Sequence, residues 1–257
     1  MRIEGKVVLI TGASDGIGAA CAKEFASYGA KLSLTARNQE ALARAGGPDA
    51  LITPGDITLD DTRRRVVDRT LERFGTIDIV INNAGAGLYV PSWEMPMDDA
   101  RYLMELNFFA PLAITQLVVP HMRARRSGMI VNIGSIAGKM PLPWLPLYST
   151  TKFALGALTE VQRMELRRDG VRTMIVCPGY VQTSFQKNAK SGQAPPKIRD
   201  ARKHAILPET AATAIRRGVE RDARTVVTPR SGWLFVLAMR LLPSFVEARL
   251  ADLNGTA

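Results

Sequence analysis

The residues best suited to chemistry are Tyr148 and Lys152, one helical turn apart, with Ser135 upstream. On a helix, positions i and i+4 lie on the same face, so a phenol and an ammonium at this spacing can point into one cleft. Free tyrosine has a pKa of roughly 10, and a neighbouring positive charge favours the phenolate, which suits acid–base work near neutrality. Ser135 follows an apolar run, 129–134, typical of a buried strand. It would lie at that strand's carboxyl end, where open α/β sheets bind ligands.

Two exposed polar residues on a solvated helix face would give the same pattern. The surrounding elements therefore have to show whether this pair belongs to a functional site. Short apolar runs alternate with helical segments, which implies an α/β fold with a doubly wound parallel sheet of about seven strands and helices on both faces. We find no repeat or linker and predict a single domain over residues 1–257. The predicted strands are 6–10, 31–35, 50–53, 77–81, 129–134, 171–176 and 225–227, and the predicted helices are 19–28, 60–74, 97–125, 148–168 and 208–220.

A glycine-rich turn, 11–18, lies between the first predicted strand and the first helix. In a strand–turn–helix unit, Gly12 permits the tight turn, Gly16 lets the backbone approach a pyrophosphate, and Gly18 allows close packing of helix on strand. The free N–H groups and the positive dipole end of the helix face the phosphates. The pattern therefore predicts a dinucleotide site.

The end of the second predicted strand bears on which dinucleotide binds there. An NAD-selective site usually has an acidic side chain at this position for the ribose 2′-hydroxyl, but the sequence has Ala36 followed by Arg37. A guanidinium suits a 2′-phosphate, so we favour NADP(H) over NAD(H), with Ser14 as a further hydroxyl contact. The alternative is a surface arginine at a strand end.

A proline within the long predicted helix 97–125 singles out Asn107. Pro111 has no N–H to bond the carbonyl four residues back, which is that of Asn107. We expect this carbonyl to accept from a water or a side chain. The alternative is a simple kink.

Composition bounds the class of protein. A chain of 257 residues with 46% hydrophobic residues suits a soluble α/β protein with a substantial core. The net charge of +10 would suit nucleic acid, an anionic membrane or a phosphorylated ligand, although the scattered arginines also fit a solvated basic surface. Two cysteines and no signal peptide before the first strand indicate a reducing cytoplasm. With two histidines and no cysteine cluster, we expect no catalytic metal.

These motifs together resemble one family, the classical short-chain dehydrogenase/reductases, over roughly residues 5–230. The resemblance is carried by the glycine turn 11–18, the run 82–85 (Asn-Asn-Ala-Gly), Pro178-Gly179, and what looks like a complete catalytic set. That set consists of Asn107, Ser135, Tyr148 and Lys152. The resemblance implies a single Rossmann-type domain and direct hydride transfer between a nicotinamide and a substrate carbon.

The resemblance also implies roles for these residues. Tyr148 would be the general acid in ketone reduction and the general base in alcohol oxidation, and Ser135 would hydrogen-bond the substrate oxygen. Lys152 would hold the nicotinamide ribose and stabilise the Tyr148 phenolate. Asn107 would bind, through its main-chain carbonyl, a water leading to Lys152.

By the same analogy, the cofactor site extends over several loops. The adenine would lie between Asp56 and Ile57, and the nicotinamide amide near Gly179, Val181 and Thr183. One departure is that many NADP-using members have a basic residue where this chain has Asp15, which leaves Arg37 as the main indication of NADP. The implied cofactor-binding set is Gly12, Ser14, Asp15, Gly16, Ile17, Gly18, Arg37, Asp56, Ile57, Asn83, Ala84, Gly85, Tyr148, Lys152, Pro178, Gly179, Val181 and Thr183.

Apolar residues in the loops at the strand ends suggest a lipophilic substrate such as a steroid-like or long-chain ketone. We expect about half of them to line a pocket and the rest to belong to the core or an interface. A polar, basic segment, 186–206, is predicted to be a substrate lid. The apolar candidates are Leu88, Tyr89, Trp93, Met140, Leu142, Trp144, Leu145, Tyr180 and Phe185.

An apolar extension, 231–257, follows the last predicted strand. Its apolar stretch, 233–246, is interrupted by Arg240 and Pro243 and is too short for a transmembrane helix. It could cover the substrate mouth, pack in a homodimer or homotetramer, or contact a membrane through residues 233–250; we favour pocket or oligomer packing.

Two rival functions stay open. Within enzymes, the alternative is a 3-oxoacyl-carrier-protein ketoreductase, whose acidic carrier the basic lid would suit. In a different class, the chain would be a non-catalytic nucleotide-sensing or nucleic-acid-binding protein. The intact set of Ser135, Tyr148 and Lys152 opposes the second alternative, and no basic stripe with interleaved aromatic residues is visible, so we expect no nucleic-acid partner.

Overall fold

Seven parallel strands form one sheet in this computed structural model, which describes residues 1–186, 189 and 205–253. The strand order is β3-β2-β1-β4-β5-β6-β7, and every neighbouring pair is parallel. The predicted α/β fold with a doubly wound sheet is confirmed. The strands are β1 (Val7–Thr11), β2 (Lys31–Thr35), β3 (Leu51–Ile52), β4 (Ile79–Asn82), β5 (Gly128–Ile133), β6 (Val171–Pro178) and β7 (Thr225–Thr228).

The described helices cover both faces of this sheet. They are α1 (Gly16–Ser27), α2 (Gln39–Gly46), α3 (Asp60–Phe74), α4 (Met97–Met104), α5 (Ala110–Ala124), α6 (Pro146–Glu165), α7 (Pro208–Glu220), α8 (Gly232–Leu241) and α9 (Pro243–Leu253). Because side chains alternate along a strand, Val8 and Ile10 face α1, α2 and α7, whereas Leu9 faces α3 and α5. Strands buried on both faces favour continuous apolar runs, such as residues 7–10 in β1 and 79–81 in β4.

The predicted helix 97–125 is divided in three. Between α4 and α5 the segment Glu105–Phe109 is a π-turn, in which the N–H of Ala110 bonds the carbonyl of Glu105. Pro111 lies in the first turn of α5, where its missing N–H is tolerated. The chain thus accommodates the proline by widening one turn, and Asn107 lies within it.

Other boundaries also differ from the prediction. Strand β6 runs beyond its predicted end at residue 176 through Cys177 and Pro178, because the proline comes at the last position of the strand. The loop before α6 opens with a 3-10 turn, Ile136–Gly138, in which the Ser135 hydroxyl accepts from the N–H of Ala137. Helix α2 and the two C-terminal helices have no counterpart among the predicted helices.

The segment from α4 to α5 is long and apolar enough to cross a membrane by length and composition alone. Part of its apolar face belongs to the core, however: Ile114, Val118 and Met122 are fully buried against strand residues such as Ile130, whereas Met97 and Phe109 are exposed. A core helix gives the same composition as a membrane span, so burial is the better explanation here.

The strand order reverses between β1 and β4. Connections leave these two neighbouring strands toward opposite sides, which opens a crevice at their carboxyl ends. The glycine turn after β1, the 82–85 run after β4 and Ser135 after β5 all meet at this crevice.

Candidate active site

A cleft of about 820 Å³ lies at the carboxyl ends of the strands. Its lining includes every residue of the predicted cofactor-binding set except Gly18, and three of the four predicted catalytic residues. Asn107 and Gly18 lie behind the wall. Residues from several loops and helices, far apart in sequence, are therefore brought to one place.

The glycine turn is built for close approach of backbone to backbone. Gly12 and Gly16 have φ of +64° and +55°, values that favour glycine. A Cβ at Gly12 would lie 2.8 Å from Ala84 Cα, and one at Gly18 would lie 2.3 Å from the Gly12 oxygen. Gly18 is thus a packing residue, as its predicted role required, and does not itself touch the cleft.

Asn83 and Asp15 support this turn. The Asn83 side chain donates to the main-chain oxygens of Thr11 and Gly12, each at 3.0 Å. Asp15 caps α1, since its carboxylate accepts from the N–H of Gly16 at 2.7 Å. One amide of the phosphate-facing helix end is therefore already engaged by an acidic side chain.

Polar and basic side chains surround the adenosine end of the cleft. Arg37 lines it at the end of β2, and Arg44 joins it from α2, which sequence analysis did not single out. Thr35 also lines the cleft, and its buried hydroxyl has no hydrogen-bond partner within the described part of the chain. Asp56 and Ile57 lie on the opposite loop, where Asp56 accepts from the N–H and hydroxyl of Thr58.

Ser135, Tyr148 and Lys152 meet at the other end. The Ser135 side chain hydrogen-bonds Tyr148, and the ring of Tyr148 packs edge-on against Phe185 with centroids 5.4 Å apart. Lys152 Nζ lies 5.6 Å from the centre of the Tyr148 ring and donates to the main-chain oxygen of Ile133 at 2.8 Å. The three predicted groups share one corner, and Ile133 is an additional member.

Burial dominates the protonation of this corner. It raises the pKa of Tyr148 well above its ordinary value, against a partial lowering by the hydrogen bond from Ser135. Burial also lowers the pKa of Lys152 to about 8. The lowering of the Tyr148 pKa expected from Lys152 stays a prediction, because burial sets the direction of the shift here and the ammonium is directed to the Ile133 carbonyl.

Asn107 holds two walls of the site together. Its side-chain oxygen accepts from the N–H of Ala86 at 3.1 Å, and its amide donates to the Ala86 oxygen and to the Thr151 hydroxyl. Thr151 precedes Lys152 on α6, so this fully buried side chain connects the 82–86 loop with the helix that carries the tyrosine and lysine. The predicted water at its main-chain oxygen stays a prediction.

The chain after β6 closes the end of the cleft that holds Tyr148, where the resemblance places the nicotinamide. Pro178, Gly179, Val181 and Thr183 all line the cleft. Val181 pairs with Ile206 in an isolated parallel bridge, so the chain returns to the site after the predicted lid. Most of the lid, 186–206, lies outside the described residues.

The apolar candidates for a substrate pocket divide as expected into two groups. Leu88 and Met140 are buried in the core, Trp93 is 80% exposed, and Trp144 does not reach the cleft. Residue type alone does not separate these from pocket residues. The members that line the cleft are Tyr89, Leu142, Leu145, Tyr180 and Phe185.

Among the residues described, no group of three histidine, cysteine, aspartate or glutamate side chains is placed to hold a metal ion. Both cysteines are buried, and burial raises the pKa of the Cys177 thiol to about 11. Neither thiol is thereby suited to act as a nucleophile near neutral pH.

The residues present fit a dinucleotide. Residues of the glycine turn from Gly12 to Ile17 line the cleft, and the buried Thr35 hydroxyl is unpaired among the described residues. The cleft joins a basic end to an end with a phenol, a hydroxyl and an ammonium. Fold and cleft together define the class of α/β proteins that bind a dinucleotide at a topological switch point.

Comparison with known proteins identifies the family. The short chain dehydrogenase family model matches residues 6–194. A "Dehydrogenase/reductase SDR family protein 7-like" of Anopheles gambiae is 32% identical, covering 99% of this chain and 86% of that protein. An "11-beta-hydroxysteroid dehydrogenase-like 2" of Arabidopsis thaliana is 34% identical, covering 96% and 80%. The chain belongs to the short-chain dehydrogenase/reductase family of oxidoreductases.

Solved structures agree with this assignment. A short-chain dehydrogenase/reductase from Burkholderia phymatum in complex with NAD has a TM-score of 0.86 at 26% identity, covering 97% of this chain and 96% of that one. A short-chain dehydrogenase from Burkholderia cenocepacia in complex with NADP has a TM-score of 0.82 at 29% identity, covering 97% and 99%. The family fold thus accepts either cofactor.

Proposed function

We propose that this protein is an NADP-dependent oxidoreductase that interconverts a carbonyl and a secondary alcohol on a lipophilic substrate. The observation that carries the proposal is the meeting of Ser135, Tyr148 and Lys152 at one end of a cleft that has an arginine-bearing end opposite. Proton transfer and binding of a 2′-phosphate need these two ends in one continuous space.

Side chains of this protein would carry out the proton transfer. When bound, the nicotinamide cofactor supplies or accepts the hydride. The Tyr148 phenol donates its proton to the substrate oxygen in reduction and recovers it in oxidation, and Ser135 donates a hydrogen bond to the same oxygen where negative charge develops. Lys152 places a positive charge near the phenolate left behind, which favours the ionised state that burial opposes.

Two arginines support the choice of NADP. Arg37 and Arg44 both line the adenosine end, and guanidinium groups bind phosphate by paired hydrogen bonds. Arg44 makes an exposed contact with Glu40, with Nη1 3.9 Å from Oε2, and a ligand could replace such a contact at little cost. The residue directly after β2 is Ala36, which offers no carboxylate to a free 2′-hydroxyl.

A lipophilic substrate is supported by the walls near Tyr148. Leu142, Leu145, Tyr89 and Phe185 line the cleft on this side. Desolvation of an apolar ligand against such a surface favours binding by roughly 25 cal/mol for each Å² buried. The relative of Arabidopsis thaliana whose name refers to a hydroxysteroid dehydrogenase is consistent with a steroid-like or long-chain ketone.

Self-association is a further part of the proposal. Helix α6 exposes an apolar stripe that includes Phe153, Val161 and Met164 at helical spacing, with Met164 70% exposed. Such a stripe on the catalytic helix suits a homodimer or homotetramer. The reducing compartment inferred from the cysteines stays a prediction.

The test is a panel of steroid-like, long-chain and small polar ketones assayed for cofactor oxidation with NADPH and NADH in parallel. We expect turnover with the lipophilic ketones and a preference for NADPH. Arg37→Gln and Arg44→Gln should each weaken NADPH about tenfold, the size of one charge-assisted hydrogen bond of roughly 1.5 kcal/mol, and leave NADH unchanged. Arg64→Gln, on the exposed face of α3, is the matched control. Equal use of both cofactors by the parent protein would contradict the NADP assignment.

A further inference from the structure

Helices α8 and α9 expose a nearly continuous set of large apolar side chains. We call this the C-terminal apolar surface. Within α8 only Gly232 and Val236 are buried, where the helix packs on β7. Leu234 and Leu241 are 69% and 68% exposed, which is unusual for leucine in a folded protein. The surface consists of Trp233, Leu234, Phe235, Leu237, Leu241, Leu242 and Phe245.

Charge around this surface is mainly positive. From Arg230 to Val246 the sequence contains no acidic residue, and its charged side chains are Arg230 and Arg240, both exposed. Arg249 follows on α9 with its guanidinium carbon 5.6 Å from the centre of the Phe245 ring. Glu247 is the single acid with a described side chain on α9. Apolar residues bordered by arginines suit a binding partner that has an apolar interior and negative charge at its boundary.

The helices are too short to cross a membrane. A helix of 10 residues, such as α8, is about 15 Å long, half of the hydrocarbon thickness of roughly 30 Å. Tryptophan, phenylalanine and leucine beside arginine are instead typical of a helix that lies in the interface, with its apolar side in the acyl region and its cations at the headgroups.

We propose that the C-terminal apolar surface binds this protein peripherally to anionic lipid bilayers. The arginines would contact lipid phosphates and acidic headgroups, while the side chains of Leu234, Phe235 and Leu241 enter the acyl boundary. A second copy of the chain is the competing occupant, and it would have to satisfy Arg230, Arg240 and Arg249 with Glu247, the single acid with a described side chain on α8 and α9.

The position of the surface connects it with the cleft. The start of α8 packs on a cleft residue, since a Cβ at Gly232 would lie 3.0 Å from Ile136 Cδ1. The N–H of Gly179, another cleft residue, donates to the Thr228 oxygen at 2.8 Å, shortly before α8 begins. Bound to a bilayer, the protein would hold this edge of the cleft near the lipid. This last step rests on the proposed lipophilic substrate.

The experiment is co-sedimentation of the full chain with vesicles of phosphatidylcholine alone and of phosphatidylcholine mixed with phosphatidylglycerol. We expect the parent protein to sediment with the mixed vesicles. Leu234→Ser combined with Phe235→Ser should reduce the partition coefficient at least about tenfold, because two apolar side chains no longer enter the acyl region. Leu59→Ser, at an exposed leucine before α3, is the control and should bind like the parent.

Two matched double variants distinguish binding through these arginines from an effect of the protein's overall positive charge. Arg230→Gln with Arg240→Gln should lower binding to the mixed vesicles, whereas Arg64→Gln with Arg73→Gln, which removes the same charge from α3, should not. Circular dichroism and turnover of a water-soluble ketone check that each variant folds, and the vesicle assay itself needs no activity. Failure of the parent to bind, equal binding by the serine variants, or a change in oligomer mass without vesicle binding would each overturn the proposal.

Discussion

Lys152 donates to the main-chain oxygen of Ile133 at 2.8 Å while its ammonium lies 5.6 Å from the centre of the Tyr148 ring. The lysine is thus anchored to the end of β5 and lies beside the tyrosine ring. Burial drives both groups toward their neutral forms, since it raises the pKa of Tyr148 and lowers that of Lys152 to about 8. Burial at this candidate catalytic corner therefore disfavours the charged forms of both side chains.

The buried ammonium has a consequence for stability. The pKa of Lys152 falls from 10.5 to about 8 on folding. Between these values the unfolded chain binds a proton that the folded chain has lost, so the free energy of unfolding rises with pH in this window. Methionine does not titrate, so the free energy of unfolding of Lys152→Met minus that of the parent should fall by on the order of 3 kcal/mol as pH rises from about 7 to about 10.5.

Urea denaturation of parent and variant at several pH values measures this directly. Both cysteines and Tyr148 also titrate on unfolding at alkaline pH. Titrations that do not depend on Lys152 cancel in the difference between the two proteins, whereas the effect of Lys152 on the Cys177 thiol is part of that difference. A difference that does not change with pH would show that Lys152 keeps its proton on folding.

Tyr148→Phe should reduce turnover by about 10²–10⁴-fold, the usual contribution of a positioned acid or base. Cofactor binding should persist, because the ring and its packing against Phe185 are retained. Absorbance titration of tyrosinate adds a second readout. With its pKa raised by burial, Tyr148 should contribute no tyrosinate below about pH 10 in the cofactor-free protein, so parent and variant should differ only above it. Near-normal activity of the variant would exclude Tyr148 as the proton donor.

The sequence predicts the sheet well because the signals are local. Runs such as 6–10 are short and mostly apolar, and glycine or proline residues end several elements, so strands and helices alternate visibly. The pairing of Tyr148 with Lys152 follows from helical spacing alone. The seven strands and the cleft-lining glycines could therefore be placed without coordinates.

Contacts between distant segments could not be predicted in this way. The bond from Lys152 to the Ile133 carbonyl depends on how α6 packs on β5, and Arg44 reaches the cleft only because of the direction in which α2 leaves β2. Tyr89 and Trp93 are both loop aromatics, yet one is 4% and the other 80% exposed. Residue type indicates burial in general and does not say which loop side chains face one cleft.

Two glycines should respond oppositely to alanine. A Cβ at Gly18 would lie 2.3 Å from the Gly12 oxygen, which is backbone and cannot move without opening the turn. Gly18→Ala should therefore destabilise the protein by about 1–3 kcal/mol and weaken cofactor binding. A Cβ at Gly156, inside α6, would meet no side chain or neighbouring element within 4 Å, so Gly156→Ala should stabilise by about 1 kcal/mol through helix propensity. Thermal unfolding of both variants checks the pair, and equal losses would contradict it.

A buried chain of hydrogen bonds ties α6 to the centre of the sheet. Asn82 donates to Asn132, and the Asn132 amide donates to the Thr159 hydroxyl, each at 2.8 Å. The Thr159 hydroxyl donates in turn to the Leu155 oxygen at 2.6 Å, and the Thr173 hydroxyl donates to the Thr159 oxygen. Thr159→Val keeps the shape of the side chain but leaves the Asn132 amide without this acceptor, at a cost of about 1–3 kcal/mol.

The matched change is Thr159→Ser, which keeps the hydroxyl and removes only a methyl group. If the hydrogen bond fixes α6, the serine variant should retain most of the stability and the turnover of the parent, whereas the valine variant should lose both. Loss of turnover beyond the loss of folded protein would indicate that α6 has shifted and moved Tyr148 and Lys152 relative to Ser135. Equal loss of stability in the two variants would instead assign the effect to packing around the side chain, because the serine variant keeps the hydrogen bond and changes only the packing.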